Sequence, residues 1–120
     1  MNRPSKFRLT PPVVRLSEND IEAQCLDLLG LRGFWPIRLH AGRFKTADGK
    51  RWITGVEKGT PDWAAVKAPS FLVEVKRPGG SLSPEQQRRI RELTLGYHLP
   101  IVVVESVEEL EDWLKRFQRP

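Results

Sequence analysis

The chain has one cysteine, Cys25, so no intrachain disulfide can staple it, and its two histidines, His40 and His98, stand far apart. Cysteine and histidine therefore cannot assemble a zinc centre, and the cysteine usage is that of an intracellular protein. Long apolar runs are missing too. Nothing approaches the roughly 20 residues that a membrane-spanning helix needs, and no apolar signal-peptide core follows Asn2, Arg3, Pro4, Lys6 and Arg8. These absences predict a cytoplasmic protein with no membrane segment. Internal repeats and low-complexity tracts are also lacking, and 120 residues make one domain, long enough to bury a core without staples.

What is present is a globular composition with an uneven charge. Lys and Arg number 20 against 15 Asp and Glu, a net +5 that suits a polyanionic partner. Residues 1–16 hold Arg3, Lys6, Arg8 and Arg15, three prolines and no acid, which predicts a basic extended arm ahead of a single domain over 17–120. Ser17 to Asp20 has the form of a helix cap, and Ile21, Cys25, Leu28 and Leu29 follow at helical spacing, predicting a helix over 18–31. Between Phe34 and Trp52, apolar and basic residues alternate around an Ala47 to Lys50 turn, which predicts one hairpin of two strands.

Trp63–Val66 and Phe71–Val75 are apolar enough to predict strands buried on both faces or nearly so. Ser83 and Pro84 open a second helix that Gly96 should stop; Ile101–Val104 reads as a further strand, and Ser106 caps a last helix through Phe117. The order α-β-β-β-β-α-β-α predicts an α/β fold, a mixed central sheet flanked by helices.

Three polar residues conflict with those apolar strands: Asp62 at the mouth of one, and Glu74 and Lys76 at the end of the next. Glu74 and Lys76 are two apart and share a face, and a short loop from Lys67 to Pro69 would set Asp62 opposite Glu74. Two facing carboxylates repel unless a divalent cation bridges them, and Mg²⁺ prefers such hard oxygen ligands. A lysine beside the cation can orient water or steady a phosphoryl oxygen, the needs of phosphodiester hydrolysis. A plain Glu74–Lys76 ion pair accounts for the same spacing.

Gly59-Thr60-Pro61-Asp62 and Glu74-Val75-Lys76 resemble the signature of the PD-(D/E)xK nuclease superfamily, and the stretch from Pro78 to Gln86 resembles its VRR-NUC branch. The likeness extends over residues 17–117 and implies a restriction-endonuclease-like core. It implies that Asp62, Glu74 and the Val75 carbonyl hold Mg²⁺ or Mn²⁺, that Lys76 is the catalytic lysine, and that Gln86 faces the site from the next helix. Gln86 is also the natural capping-box partner of Ser83. Superfamily members often add an acid from the first helix. Glu18 is explained by the helix dipole alone, whereas Glu22 stands eleven residues before Gly33, a spacing similar to that of junction-resolving nucleases, so Glu22 is the preferred ligand.

The basic residues Arg38, Arg43, Lys45 and Arg51, and then Arg77, Arg88 and Arg89, form two stretches suited to DNA phosphates. Trp35, Trp52 and Trp63 suit a core or an interface, and Trp52 could stack on an unpaired base. The acidic run from Glu105 to Asp112 should face away from nucleic acid. The expected function is a metal-dependent DNA endonuclease; the resemblance implies branched or flapped DNA as its substrate, and a homodimer would present two sites to a junction. The alternatives are a non-catalytic nucleic-acid-binding module on a nuclease fold and a structural subunit of a larger assembly.

Overall fold

The computed structural model describes residues 16–118, so all but the last residue of the predicted basic arm lies outside the described residues. Three helices and six strands follow in the order α1 (Glu18–Leu31), β1 (Trp35–Arg38), β2 (Arg43–Lys45), β3 (Trp52–Thr54), β4 (Trp63–Val66), β5 (Phe71–Val75), α2 (Pro84–Tyr97), β6 (Ile101–Val104) and α3 (Val107–Phe117). The fold is mixed α/β, and no helix among the described residues is long and apolar enough to cross a membrane.

Each helix begins at the serine expected to cap it. Ser17 and Asp20 exchange side-chain and backbone hydrogen bonds in a capping box, as do Ser83 and Gln86, and Ser106 accepts from the Glu109 N–H. These contacts satisfy N–H groups that the first helical turn cannot satisfy itself. The second helix does not stop at Gly96. It continues to Tyr97 and ends at His98, which takes a left-handed conformation (φ 53°) and donates to the Leu93 carbonyl. A lone glycine weakens a helix without ending it; the barrier is Pro100, which cannot continue one.

The main sheet has the order β1-β4-β5-β6, antiparallel except for the parallel β5–β6 pair. Here the single hairpin expected between Phe34 and Trp52 is corrected. Its first half, β1, pairs with β4, while β2 and β3 close a separate two-stranded hairpin across the predicted turn. Alternation marks a strand but carries no record of its partner, and β1 gains more by extending a sheet over a buried core.

That core lies on one face of the sheet. Phe71, Val73 and Val75 of β5, Ala65 of β4 and Val104 of β6 meet Ile21, Cys25 and Leu29 of α1 and Leu110 and Leu114 of α3. Phe71 is its hub, edge-on to Phe34 (5.3 Å between ring centroids) and to Phe117 (4.9 Å). The opposite face is covered at β5, where Glu74 is buried and Leu72 half-buried, as expected of that strand, and opens toward β6. Leu72 and Ile101 are partly exposed there, Val103 is exposed, and α2 contributes no buried residue. The few apolar residues of α2 do not form one stripe: Leu95 and Tyr97 both point to solvent. Phe71→Ala is expected to lower the unfolding free energy by roughly 3–5 kcal/mol, because the aromatic cluster cannot collapse into the void; urea denaturation measures it.

Candidate active site

The open face carries the polar residues that conflicted with the strands. The β4–β5 pairing sets Trp63 against Val73, and the same register continued by one residue sets Asp62 against Glu74. The Val75 N–H donates to Asp62 Oδ2 (3.4 Å), tying the mouth of β4 to the end of β5. Lys76 Nζ lies 3.3 Å from Glu74 Oε2, with both side chains largely buried. Asp62, Glu74 and Lys76 therefore converge, as the spacing predicts, and the Val75 side chain points into the core while its backbone borders the site.

Gln86 joins them, capping its helix and reaching Glu74 at once. Its side-chain carbonyl accepts from the Ser83 N–H (2.8 Å) in the capping box, and its Nε2 donates to Glu74 Oε2 (3.1 Å). The α2 N-terminus can come so close because Gly59 lies beneath it: this buried residue has φ +92°, and a Cβ there would stand 2.6 Å from the Glu85 carbonyl oxygen. The motif glycine thus has a steric reason that the sequence alone did not reveal. Pro61 is fully buried beside it, and Thr60 Oγ1 donates to the Glu57 carbonyl (2.6 Å), which shapes the loop that delivers Asp62.

Glu22 sits at the other side of Asp62. Its Oε2 accepts from Trp63 Nε1 (2.9 Å) and from Arg38 Nη1 (3.1 Å), and the Arg38 guanidinium also lies 5.3 Å from the Trp63 ring centroid. Arg38 was grouped with the basic hairpin; it belongs instead to β1 and neutralises Glu22 near the site. Only the β1–β4 pairing brings Arg38 opposite Trp63. Glu18 is exposed in the first turn of α1. Among the described residues no three His, Cys, Asp or Glu side chains are gathered as a cation site, so the carboxylates that face one another are the pair Asp62 and Glu74.

The remaining basic residues are dispersed. Arg43, Lys45 and Arg51 stand exposed on and beside the β2–β3 hairpin, and Arg77 and Arg88 are exposed near α2. Arg89 is held between Glu57 and Glu92, with only 16% of its side chain exposed. Trp35 is 68% exposed, whereas Trp63 packs partly against the core. The acidic helix α3 covers the core face, away from Asp62 and Glu74, with Glu111 paired to Arg32 (3.0 Å).

Electrostatics single out Glu74. Burial, then the neighbouring Asp62 carboxylate, raise its pKa to about 7 against the opposing pull of Lys76. Asp62 is raised chiefly by burial, with the Val75 N–H and Arg38 opposing and Glu22 and Glu18 adding. Glu74 Oε1 is buried without any hydrogen-bond partner. A buried, unpartnered carboxylate oxygen is costly, and together with Asp62 it is a donor set that fits a hard divalent cation. Cys25 is no nucleophile: burial, aided by Glu22 and Glu108, pushes its thiol up to about 11. Compared with protein-family models, curated proteins and solved structures, the chain matches none.

An unfolded chain releases the Glu74 proton near its ordinary value of 4.5, whereas the folded protein keeps it to about 7. Without metal, folding stability should therefore fall as pH rises through that window, by on the order of 3 kcal/mol, and level off above it. Glu74→Gln has no proton to lose, so in chelator it should gain on the wild type between about pH 5 and pH 8. Urea denaturation at several pH values checks this, and a pH-independent difference would refute it.

Proposed function

We propose that the protein is a divalent-metal-dependent DNA endonuclease of the VRR-NUC type, with a restriction-endonuclease-like core, hydrolysing phosphodiester bonds in branched DNA. The observation that carries this proposal is the gathering of Asp62 and Lys76 about Glu74, whose Oε2 is held by Lys76 while its buried Oε1 has no partner. A binding module or a structural subunit has no use for a carboxylate desolvated at such cost. Family resemblance supplies the substrate class.

Asp62, Glu74 and the Val75 carbonyl would hold Mg²⁺ or Mn²⁺, with Glu22 close enough to Asp62 to add charge. When bound, the cation supplies Lewis acidity toward the phosphate and an acidified water. Gln86 keeps Glu74 Oε2 occupied, so Oε1 remains the free oxygen. Lys76, whose ammonium lies 3.3 Å from Glu74 Oε2, would meet an attacking water or a non-bridging phosphoryl oxygen and offset charge there. Arg43, Lys45, Arg51, Arg77 and Arg88 would take the flanking phosphates. The protein would act in the cytoplasm, and a homodimer would offer two sites to a junction.

Cleavage of matched linear, flap and four-way DNA with Mg²⁺, Mn²⁺ or chelator tests the proposal. Asp62→Asn should lower metal-dependent cleavage at least about a hundredfold with an unchanged circular dichroism spectrum. Near wild-type cleavage by this variant would refute the metal site. Lys76→Ala should lower kcat by a similar factor yet retain Mn²⁺ binding in a calorimetric titration, since the lysine acts on water or phosphate and not on the cation.

A further inference from the structure

The β2–β3 hairpin lies outside the carboxylate site, and in the proposed nuclease only its basic residues act, as phosphate contacts. It pairs with neither edge of the main sheet, and all six of its strand residues are exposed. Its register divides it into two faces: Arg43, Lys45, Trp52 and Thr54 on one, Phe44 and Ile53 on the other. Trp52 is 56% exposed, with the Arg43 guanidinium 4.7 Å and the Lys45 ammonium 5.3 Å from its ring centroid. Lys50 and Arg51 add charge at the turn. Asp48, the one acid between residues 43 and 54, is bound within the turn by Thr46 and the Lys50 N–H. A short hairpin with no third strand gains little by showing an indole to water, whereas Trp and Arg are the residues most enriched where a surface binds a partner.

The hairpin is rooted beside the site. The Leu39 N–H donates to the Asp62 carbonyl (2.8 Å), the Val56 N–H to that of His40 (2.8 Å), and the Gly42 N–H to that of Val56 (3.2 Å). The hairpin thus springs from the segment that follows β1 and is bonded to Asp62, at the end of the sheet that carries the site. We propose that the hairpin binds an unpaired strand next to the scissile phosphate, with Trp52 stacking on a base and Arg43, Lys45 and Arg51 holding phosphates. The proposal rests on the nuclease function proposed above and specifies how its substrate is recognised. The exposed indole is the feature that demands an unpaired strand, because the bases of a duplex already stack on one another and hide their faces. The charge selects a polyanion and disfavours a second copy of the hairpin, which would set like charges face to face.

Fluorescence anisotropy in chelator, where cleavage cannot intervene, tests this with labelled oligothymidylate of about 15 nucleotides, an abasic strand of equal length and a matched duplex. Wild-type protein should bind the abasic strand at least about fivefold more weakly than oligothymidylate, since phosphates alone remain. Trp52→Ala should weaken oligothymidylate binding about tenfold and duplex binding less than about twofold, and Trp52→Phe should restore most of the loss. Equal binding of the abasic strand, or equal weakening on single and double strands, would overturn the proposal, as would a change in oligomeric mass on Trp52→Ala by sedimentation. Failure to bind oligothymidylate would also overturn it while leaving the nuclease standing, provided duplex or junction DNA is still cleaved with Mg²⁺.

Discussion

A carboxylate inside the central strand is the constraint around which this protein is arranged. Phe71, Val73 and Val75 of β5 anchor the core, and Glu74 between them is buried on the opposite face. Left alone, a desolvated Glu74 would oppose folding, so its surroundings must answer for it. Lys76 and Gln86 both bind Oε2, Asp62 comes near enough to raise its pKa, and Oε1 has nothing. The surroundings stabilise half of the carboxylate and leave the other half able to take a ligand. A strand optimised for stability alone would carry an apolar residue here.

Stability and accessibility are divided between the two faces of the sheet. Helices α1 and α3 seal one face around Phe71, which fixes the strands and thereby the spacing of Asp62 and Glu74. On the other face α2 touches the site through its first turn, where Gln86 meets Glu74 and Glu85 passes over Gly59, while its far end exposes Leu95 and Tyr97. The site is thus built on the strands themselves, with Glu74 buried and Lys76 largely so. The hairpin β2–β3 follows β1 through Leu39, whose N–H donates to the Asp62 carbonyl, so its exposed basic residues and Trp52 leave the sheet from the Asp62 end.

Much of this was legible in the sequence because it is local. A serine that accepts from the third N–H ahead of it caps a helix wherever it stands, which is why Ser17, Ser83 and Ser106 marked the three helix starts. Period-two spacing placed Glu74 and Lys76 on one face, and a short connection left one plausible register, so Asp62 could be set opposite Glu74. The errors were of another kind. The Phe34 to Trp52 stretch alternates throughout, and nothing in it says that its first strand leaves to pair with β4. Apolar strands look alike whether one face or both are covered, so the opening toward β6 could not be read from Ile101 and Val103.

The sequence by itself determined the helix starts, the caps and the pairing of Asp62 with Glu74 and Lys76, since each follows from side-chain chemistry and spacing over a few residues. Only the tertiary structure decided that Gln86 reaches Glu74 while capping its helix, that Arg38 answers Glu22, that Gly59 must be glycine beneath Glu85, and that Arg89 is engaged by Glu57 and Glu92. Contacts between segments depend on which faces the core buries and which it leaves free. That choice minimises exposed apolar surface over the whole chain at once, so no single segment records it.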